Sequence, residues 1–469
     1  MKPDEFRRWG HALIDWVADY RERVAELPVV SQVGPGTVTG AVPAEPPEQP
    51  EDFADVVRDL DEIVLPAMTH WNHPRHFAYF PANASLSSVL ADVVSTGFGS
   101  IGANWLASPA LTELEEVTCD WMRQLLGLSD SWRGVIQDTA STSTLVALLS
   151  ARERTLGLGQ QASGLQHREG PLIVYCSDQS HSSVLKAALI AGFGRDHVRQ
   201  VASDDRFALD VDALCREIEK DVAAGARPCA LVVTTGTTST TAIDPVDLAA
   251  AVAEEHGLWL HVDGAMAGTA MIVPRLRSLW YGVERADSIV VNAHKWLGAA
   301  FDCSLYYVRD PDHLVRVMST DPSYLQTEAD AETTNYRDWG VPLGRRFRAL
   351  KLWFLLRSEG AVALRRRIER DLGNARWLAD QVDAAEPWRR LAPVPLQTVC
   401  VRHEPPGLSS DALDEHTLRW VASIERSGVA SLTTARIEGR WMVRVSVGAE
   451  PTERGDVEAL WQAMRASVG

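Results

Sequence analysis

Cysteine is scarce in this 469-residue chain, with six residues at positions 119, 176, 215, 229, 303 and 400. None forms a CxxC pair or a Cys/His metal spacing. So few and scattered thiols exclude a disulfide scaffold and predict reduced, buried side chains in a cytoplasmic protein. No uninterrupted apolar run approaches the ~18 residues that a bilayer crossing needs. The opening Met1-Lys2-Pro3-Asp4-Glu5 is charged and lacks the apolar stretch of a signal peptide. Positive charge is also short: 46 Lys and Arg face 63 Asp and Glu, a net charge of −17. That balance speaks against nucleic acid or anionic lipid as a partner, because phosphate binding needs Lys/Arg stripes. The nearest approach to a metal motif, His70-x-x-His73 and His73-x-x-His76, lies beside proline in a turn-rich stretch, and no metal is expected there.

What is present is enough chain for two or three packed domains and a composition that is 46% hydrophobic and 23% charged. Phe6, Trp9, Leu13, Val17, Tyr20, Val24 and Leu27 recur at steps of three or four, which predicts an amphipathic helix that Pro28 ends. Residues 33–50, with five prolines, read as an extended connector, and a second helix is expected over about 52–65. From about 86 to 350, short apolar or β-branched runs alternate with helical stretches such as Val211–Ala224 and Pro245–His256. Candidate strands are Gly134–Gln137, Leu172–Tyr175, Ala230–Thr234, Leu258–Val262, Ser288–Val291 and Ser304–Val308. This alternation predicts an α/β fold with a mostly parallel sheet covered on both faces. A long helix from about 347 and candidate strands Leu396–Arg402 and Trp441–Val447 predict a smaller α+β domain. The expected division is 1–85, 86–350 and 351–469.

In open α/β sheets, ligands bind at the carboxyl ends of strands. Four polar clusters fall at such ends: Gln137–Thr144, Thr234–Thr238, His261–Ala265 and Asn292–Trp296. Any one alone reads equally well as a turn with capping residues. The Thr139–Thr144 cluster stands at a predicted helix start and has the form of a phosphate cradle. Candidates there are Thr139, the Ala140 N–H and Ser141, with Asn292 and His294 reaching in from another strand end. Lys295 follows the apolar run Ile289–Val291, where loss of water lowers an ammonium pKa as a Schiff-base lysine requires. Asp263 ends the apolar run Trp259–Val262, and a carboxylate there must be paired. A pyridinium nitrogen would suit it; a buried Asp263–Lys295 salt bridge is the plainer alternative.

Several longer motifs accompany these residues. They are His73-Pro74-Arg75-His76-Phe77-Ala78-Tyr79-Phe80-Pro81, Ser108–Glu115, Gly134–Ser141, His261-Val262-Asp263, Asn292-Ala293-His294-Lys295-Trp296-Leu297, Asp321-Pro322-Ser323-Tyr324-Leu325 and Pro342–Arg348. Running in order and nearly end to end, they resemble the group II pyridoxal-phosphate (PLP) amino-acid decarboxylases, specifically the bacterial aromatic-L-amino-acid (DOPA-type) decarboxylases.

The resemblance implies PLP as cofactor, fold type I (aspartate-aminotransferase-like), and decarboxylation of DOPA, tyrosine, phenylalanine, tryptophan or 5-hydroxytryptophan to the amine and CO2. It implies Lys295 as the cofactor lysine, Asp263 against the ring nitrogen, and Ala265 among the cofactor contacts. His181 would stack on the ring and Thr238 would touch the ring or the substrate carboxylate. Alone, His181 reads as a cap and Thr238 as a turn hydroxyl. Tyr324 would protonate the product carbon from a closing loop over about 318–334; by itself it is an ordinary loop tyrosine. Substrate contacts would come from Tyr79, Phe80, Pro81 and Ala82, from Ile101 and Ala103 of a neighbouring subunit, and from Gly344. A homodimer with shared sites follows, with 1–85 as its dimerisation segment.

The chain departs from the animal-type pattern at Gly264, Met266, Ala103 and Ala82, which bears on substrate side-chain preference. An aromatic aldehyde synthase or an aminotransferase on the same fold is the main rival, and a PLP-fold partner protein without activity is a more distant one.

Overall fold

The computed structural model describes residues 1–159, 163–165, 170–320, 329 and 332–468. It comprises two compact units: Ala82–Gly373 with Ala392–Thr398, and Met1–Pro81 with Asn374–Leu391 and Val399–Gly469.

The larger unit is built on seven strands: β1 (Arg133–Gln137), β2 (Leu172–Ser177), β3 (Val198–Val201), β4 (Arg227–Thr234), β5 (Trp259–Asp263), β6 (Ser288–Asn292) and β7 (Ser304–Val308), in the order β1-β7-β6-β5-β4-β2-β3. Neighbours from β6 through β5, β4 and β2 to β3 pair in parallel, while β7 runs antiparallel to both β6 and β1. The carboxyl ends of β1, β2, β4, β5 and β6 therefore share one edge. Strands β5 and β6 are buried along their whole length, as near-continuous apolar runs require in a sheet covered on both faces. Helix Ala140–Leu156 supplies Leu148 and Ala151 to one apolar cluster, with Val174, Val232 and Trp259. It supplies Val146 and Ala147 to another, with Val135, Val290 and Tyr306. The helix that begins at the sheet edge is thus anchored by both clusters.

The smaller unit carries a four-stranded sheet of β8 (Trp388–Arg390), β9 (Thr398–His403), β10 (Thr433–Ile437) and β11 (Arg440–Ser446), ordered β10-β11-β9-β8. Helices Ser410–Ser427 and Arg454–Ser467 bring Trp420 and Trp461 edge-to-face against Trp388, with ring centroids 5.4 and 5.3 Å away. Helix Pro3–Arg23 also belongs here and buries none of its residues.

Six of the large-sheet strands and both expected small-sheet strands form within a few residues of the expected bounds. β3, β8 and β10 were not expected: each is short and partly exposed, so its sequence shows no sustained alternation. The connector 33–50 is not wholly extended, because Thr37–Ala41 turn into a short helix. The second helix is regular only over Phe53–Asp59 and then widens into a π-turn over Leu60–Val64. The long helix spans Arg348–Asp383, broken at Gly360, whose φ of 71° suits glycine.

Candidate active site

At the shared edge, β1 leads through Asp138 into helix Ala140–Leu156. Thr139 caps that helix in an extended conformation but makes no side-chain capping bond. The N–H groups of Ala140, Ser141 and Thr142 at the helix start are thus left for an outside acceptor, and the helix dipole favours an anion there. Ser141 is exposed and Thr139 half-buried. A turn deeper, Ser143 Oγ lies 3.4 Å from Ser304 Oγ, and Ser304 Oγ donates to Asn292 Oδ1 at 2.7 Å. Asn292 is further fixed by its N–H to the Ala265 carbonyl at 3.0 Å.

Asp263 ends β5 opposite Thr234 of β4 and Val290 of β6. Only 5% of the residue is exposed, and its Oδ1 accepts the Ala265 N–H at 3.0 Å. Gly264 is tightly packed: a Cβ there would lie 3.1 Å from the Val290 carbonyl oxygen. Beyond β6, Lys295 interrupts a helical turn with φ −100° and ψ −109°, and its carbonyl accepts from Asn83 Nδ2 at 3.2 Å. His294 is locked beside it, since its Nδ1 accepts the Cys303 N–H at 2.9 Å. Burial, then the nearby Lys295 charge, pulls His294 down to about 4.

His181 caps helix Ser182–Ile190, its Nδ1 accepting the Ser183 N–H at 3.2 Å. That bond places the ring proton on Nε2. Burial lowers its pKa; Asp263 opposes the shift and Lys295 adds to it, so all three groups share one field. The result is a neutral imidazole, suited to stacking on a flat ring. Thr238 is half-buried in the turn after β4, where Gly236 takes φ 95°.

Sequence reasoning missed Asp244, which is fully buried and accepts N–H bonds from Thr234 at 2.7 Å and Leu209 at 2.8 Å. Burial pushes it up to about 7. It holds the β4 end beside Asp263, and the rule that flagged Asp263, a carboxylate among apolar neighbours, applies equally to Thr241-Ala242-Ile243-Asp244.

The expected substrate residues divide between the two units. Ala82, Ile101, Ala103 and Gly344 lie in the larger unit with Lys295; Tyr79, Phe80 and Pro81 lie in the smaller. Within the larger unit, a Cβ on Gly344 would come 3.2 Å from Ile101 Cγ2. Within the smaller, Tyr79 takes φ 52°, accepts a stack from Trp71 at 5.4 Å, and donates its N–H to Thr433 Oγ1 at 2.6 Å. Tyr324 lies outside the described residues. Among the described residues, no group of three His, Cys, Asp or Glu could hold a metal ion, and no helix is long and apolar enough to cross a membrane.

These residues fit pyridoxal phosphate: uncapped helix N–H groups for its phosphate, a buried carboxylate for its ring nitrogen, a neutral imidazole for its face and a lysine for its aldehyde.

The pyridoxal-dependent decarboxylase conserved domain matches residues 35–404. A tryptophan decarboxylase of Camptotheca acuminata is 39% identical over 99% of this chain and 95% of its own length. A phenylacetaldehyde synthase of Arabidopsis thaliana is 36% identical over 99% and 96%. The crystal structure of Oryza sativa TDC with PLP and tryptamine superposes with a TM-score of 0.96 at 33% identity, covering 100% of this chain and 98% of that one. These relatives are plant proteins. With its fold type I sheet and its PLP-competent edge, the chain belongs to the pyridoxal-dependent decarboxylase family and is a PLP-dependent carboxy-lyase.

Proposed function

We propose that the chain decarboxylates an aromatic L-amino acid, of the DOPA, tyrosine, phenylalanine, tryptophan or 5-hydroxytryptophan class, to the amine and CO2. The observation that carries this is the convergence of Lys295, Asp263, His181 and the Ala140 helix start on one sheet edge, in a chain whose relatives include a tryptophan decarboxylase. Placement among bacterial enzymes of the DOPA type rests on the sequence motifs alone.

Bound PLP supplies an electron sink for the bond that breaks at the substrate α-carbon. The chain's own groups prepare that event. Lys295 would hold the cofactor through its Nζ. Asp263 keeps a proton on the ring nitrogen, and His181 covers the ring face. Thr139, the Ala140 N–H, Ser141, Asn292 and His294 anchor the phosphate side, each hydrogen bond to a charged group contributing ~1.5–3 kcal/mol. Ala265 packs against the ring and Thr238 meets the ring or the substrate carboxylate. Tyr324 donates the proton that completes the amine.

Tyr79, Phe80, Pro81, Ala82 and Gly344 contact the substrate ring, together with Ile101 and Ala103 contributed by a second copy. The enzyme is a homodimer, with 1–85 as its dimerisation segment, 86–350 as the cofactor-binding domain and 351–469 as the small domain. Its six free thiols suit a cytoplasmic setting. An aldehyde synthase is the second reading, favoured by the Arabidopsis relative.

Incubation of the PLP-loaded enzyme with each of the five amino acids separates the readings. Equimolar CO2 and amine is the expected result. Aldehyde with ammonia and peroxide would establish the second reading, and a keto acid without CO2 would refute both. Tyr324→Phe should move product from amine toward aldehyde; an unaltered amine yield would show that another group donates the proton.

A further inference from the structure

Strand β1 is the terminal strand of the large sheet, so one side of it has no strand partner. Ile136 pairs with Leu305 of β7 on the covered side. On the open side its N–H donates to Glu115 Oε1 at 2.8 Å, and its carbonyl accepts from Arg345 Nη2 at 2.7 Å. The two side chains form a two-pronged ion pair, Nη2–Oε1 at 2.6 Å and Nη1–Oε2 at 3.1 Å, with side-chain exposures of 4% and 0%. The pair occupies the place of a neighbouring strand and closes the edge.

Stability alone does not account for this arrangement. A buried ion pair is often no more stabilising than apolar groups of the same volume, because two charges must lose water. What a guanidinium–carboxylate fork provides is fixed geometry. Here that geometry joins two parts of the site. Three residues after Ile136 comes Thr139, the cap of the phosphate-binding helix. The main-chain oxygen of Arg345 accepts the Gly102 N–H at 2.9 Å, and Gly344 backs against Ile101. Leu111, one turn before Glu115 on the same helix, lies where a Cβ on Gly102 would be, 2.6 Å from its Cδ2. Trp105 N–H, further along, is held by Asn335 Oδ1 at 3.1 Å.

We infer that the Glu115–Arg345 pair is a positioning device for substrate recognition. It fixes segment 101–103 and Gly344 against the sheet edge of their own copy, and so sets how that segment is presented to the site it serves in a second copy and which aromatic side chain is accepted there. The inference rests on the aromatic reading proposed above and deepens it.

Arg345→Lys keeps the charge and loses the fork; Glu115→Gln with Arg345→Gln keeps amide hydrogen bonds without charge and serves if the first variant fails to fold. The holoenzyme is compared with native for cofactor absorbance, for amide exchange without substrate, and for kcat and KM with tryptophan and tyrosine per cofactor-loaded site. The expected outcome is native cofactor loading, with exchange at 100–105 faster by ~10-fold or more and 288–292 unchanged. KM should rise ~10-fold with kcat within ~3-fold, and the tryptophan-to-tyrosine ratio of kcat/KM should shift by at least ~5-fold. Gly344→Ala, which pushes Ile101 without touching the pair, should shift the same ratio. Unchanged exchange at 100–105, or an unchanged substrate ratio, overturns the inference, even if the variant melts earlier. Failure of the native enzyme to turn over any aromatic amino acid would instead sink the proposed function, leaving the exchange result to be judged alone.

Discussion

Two helices of the larger unit are built in opposite senses. Helix Ala140–Leu156 buries ten of its seventeen residues, among them Arg152 and Glu153, which pair at 3.1 Å. Helix Leu86–Phe98 is far more apolar, yet it buries only Ser88 and Ala91 and exposes Leu86, Leu90, Val93, Val94 and Phe98, the last at 64%. Its ends are well formed, with Ser85 Oγ accepting the Ser88 N–H and Gly99 closing it at φ 64°. The exposed residues recur at helical spacing and make one stripe. Covering a fully exposed large side chain is worth ~1.5–3 kcal/mol, and these five are about half exposed, so they represent roughly 5 kcal/mol of unused burial. The first helix completes a core that one copy builds by itself. The second presents a face that a second copy would cover, consistent with the proposed dimer.

The largest predicted effect strikes the self-contained half. Lys295→Ala should lose the visible absorbance of lysine-bound cofactor and ~10^4-fold or more of the turnover while keeping native mass and fold. Asp263→Asn should retain that absorbance and lose ~10^2–10^3-fold in kcat, because the charge acts on the reacting system and not on retention. Near-native turnover in either variant, measured by amine release, would remove that residue from its role.

The next prediction strikes the exposed stripe. Leu90→Glu with Val94→Glu places two carboxylates in the face that the dimer proposal buries. Light scattering should then report the chain mass in place of twice that value, with activity falling ~10^2-fold, as expected if Ile101 and Ala103 serve a neighbour's site. A native-sized, active double variant would mean that the stripe is not the interface and that the contrast between the helices has another origin.

That contrast also marks how far the sequence could be read. Lys295, Asp263 and the Thr139 helix start were legible because each is a polar break after an apolar run, a local signal. Helix Leu86–Phe98 was not, since apolarity alone does not say whether a face meets the core or a partner. Glu115 and Arg345 were out of reach for another reason: 230 positions separate them, and only the folded edge of β1 brings them together. Asp244 carries the same local signal, a carboxylate directly after the apolar pair Ala242-Ile243. Strands β3, β8 and β10 gave no alternation to read.

Acid should also separate a core built from buried groups from a face built of untitratable ones. Burial holds both His261 and His294 at about 4 in the fold, against an ordinary 6.5. The unfolded chain takes up these protons first as pH falls from 6.5, so the stability they confer is complete above 6.5 and is lost progressively down to about 4. Each costs up to ~1.4 kcal/mol per pH unit within that window. Asp244, raised to about 7, acts in the other direction, its burial disfavouring the fold as pH rises from about 4 to about 7. Thermal melts from pH 4.5 to 7.5 should show His294→Asn losing less stability on acidification than native, and Asp244→Asn gaining relative to native as pH rises. Parallel curves for all three proteins would show that these groups do not set the acid limit.

The smallest effect tests where the two regions are proposed to meet, at the substrate. Ala103 is half-buried, next to Gly102, whose N–H is pinned to Arg345 and whose α-carbon faces Leu111. The backbone at 102 therefore has little freedom to retreat, and a larger side chain at 103 must take its volume from neighbouring space. If that space receives the substrate ring of a second copy, Ala103→Phe should penalise tryptophan more than tyrosine. Apolar pockets discriminate by only ~1–3 kcal/mol per group, so the preference should shift by roughly 10-fold and not become absolute. Met266, buried at 2% and pliable, would absorb part of the strain if it borders the same space. The decisive measurement is the ratio of kcat/KM for tryptophan over tyrosine in Ala103→Phe, with dimer mass checked alongside. An unchanged ratio in an intact dimer would place the ring elsewhere and detach position 103 from the site.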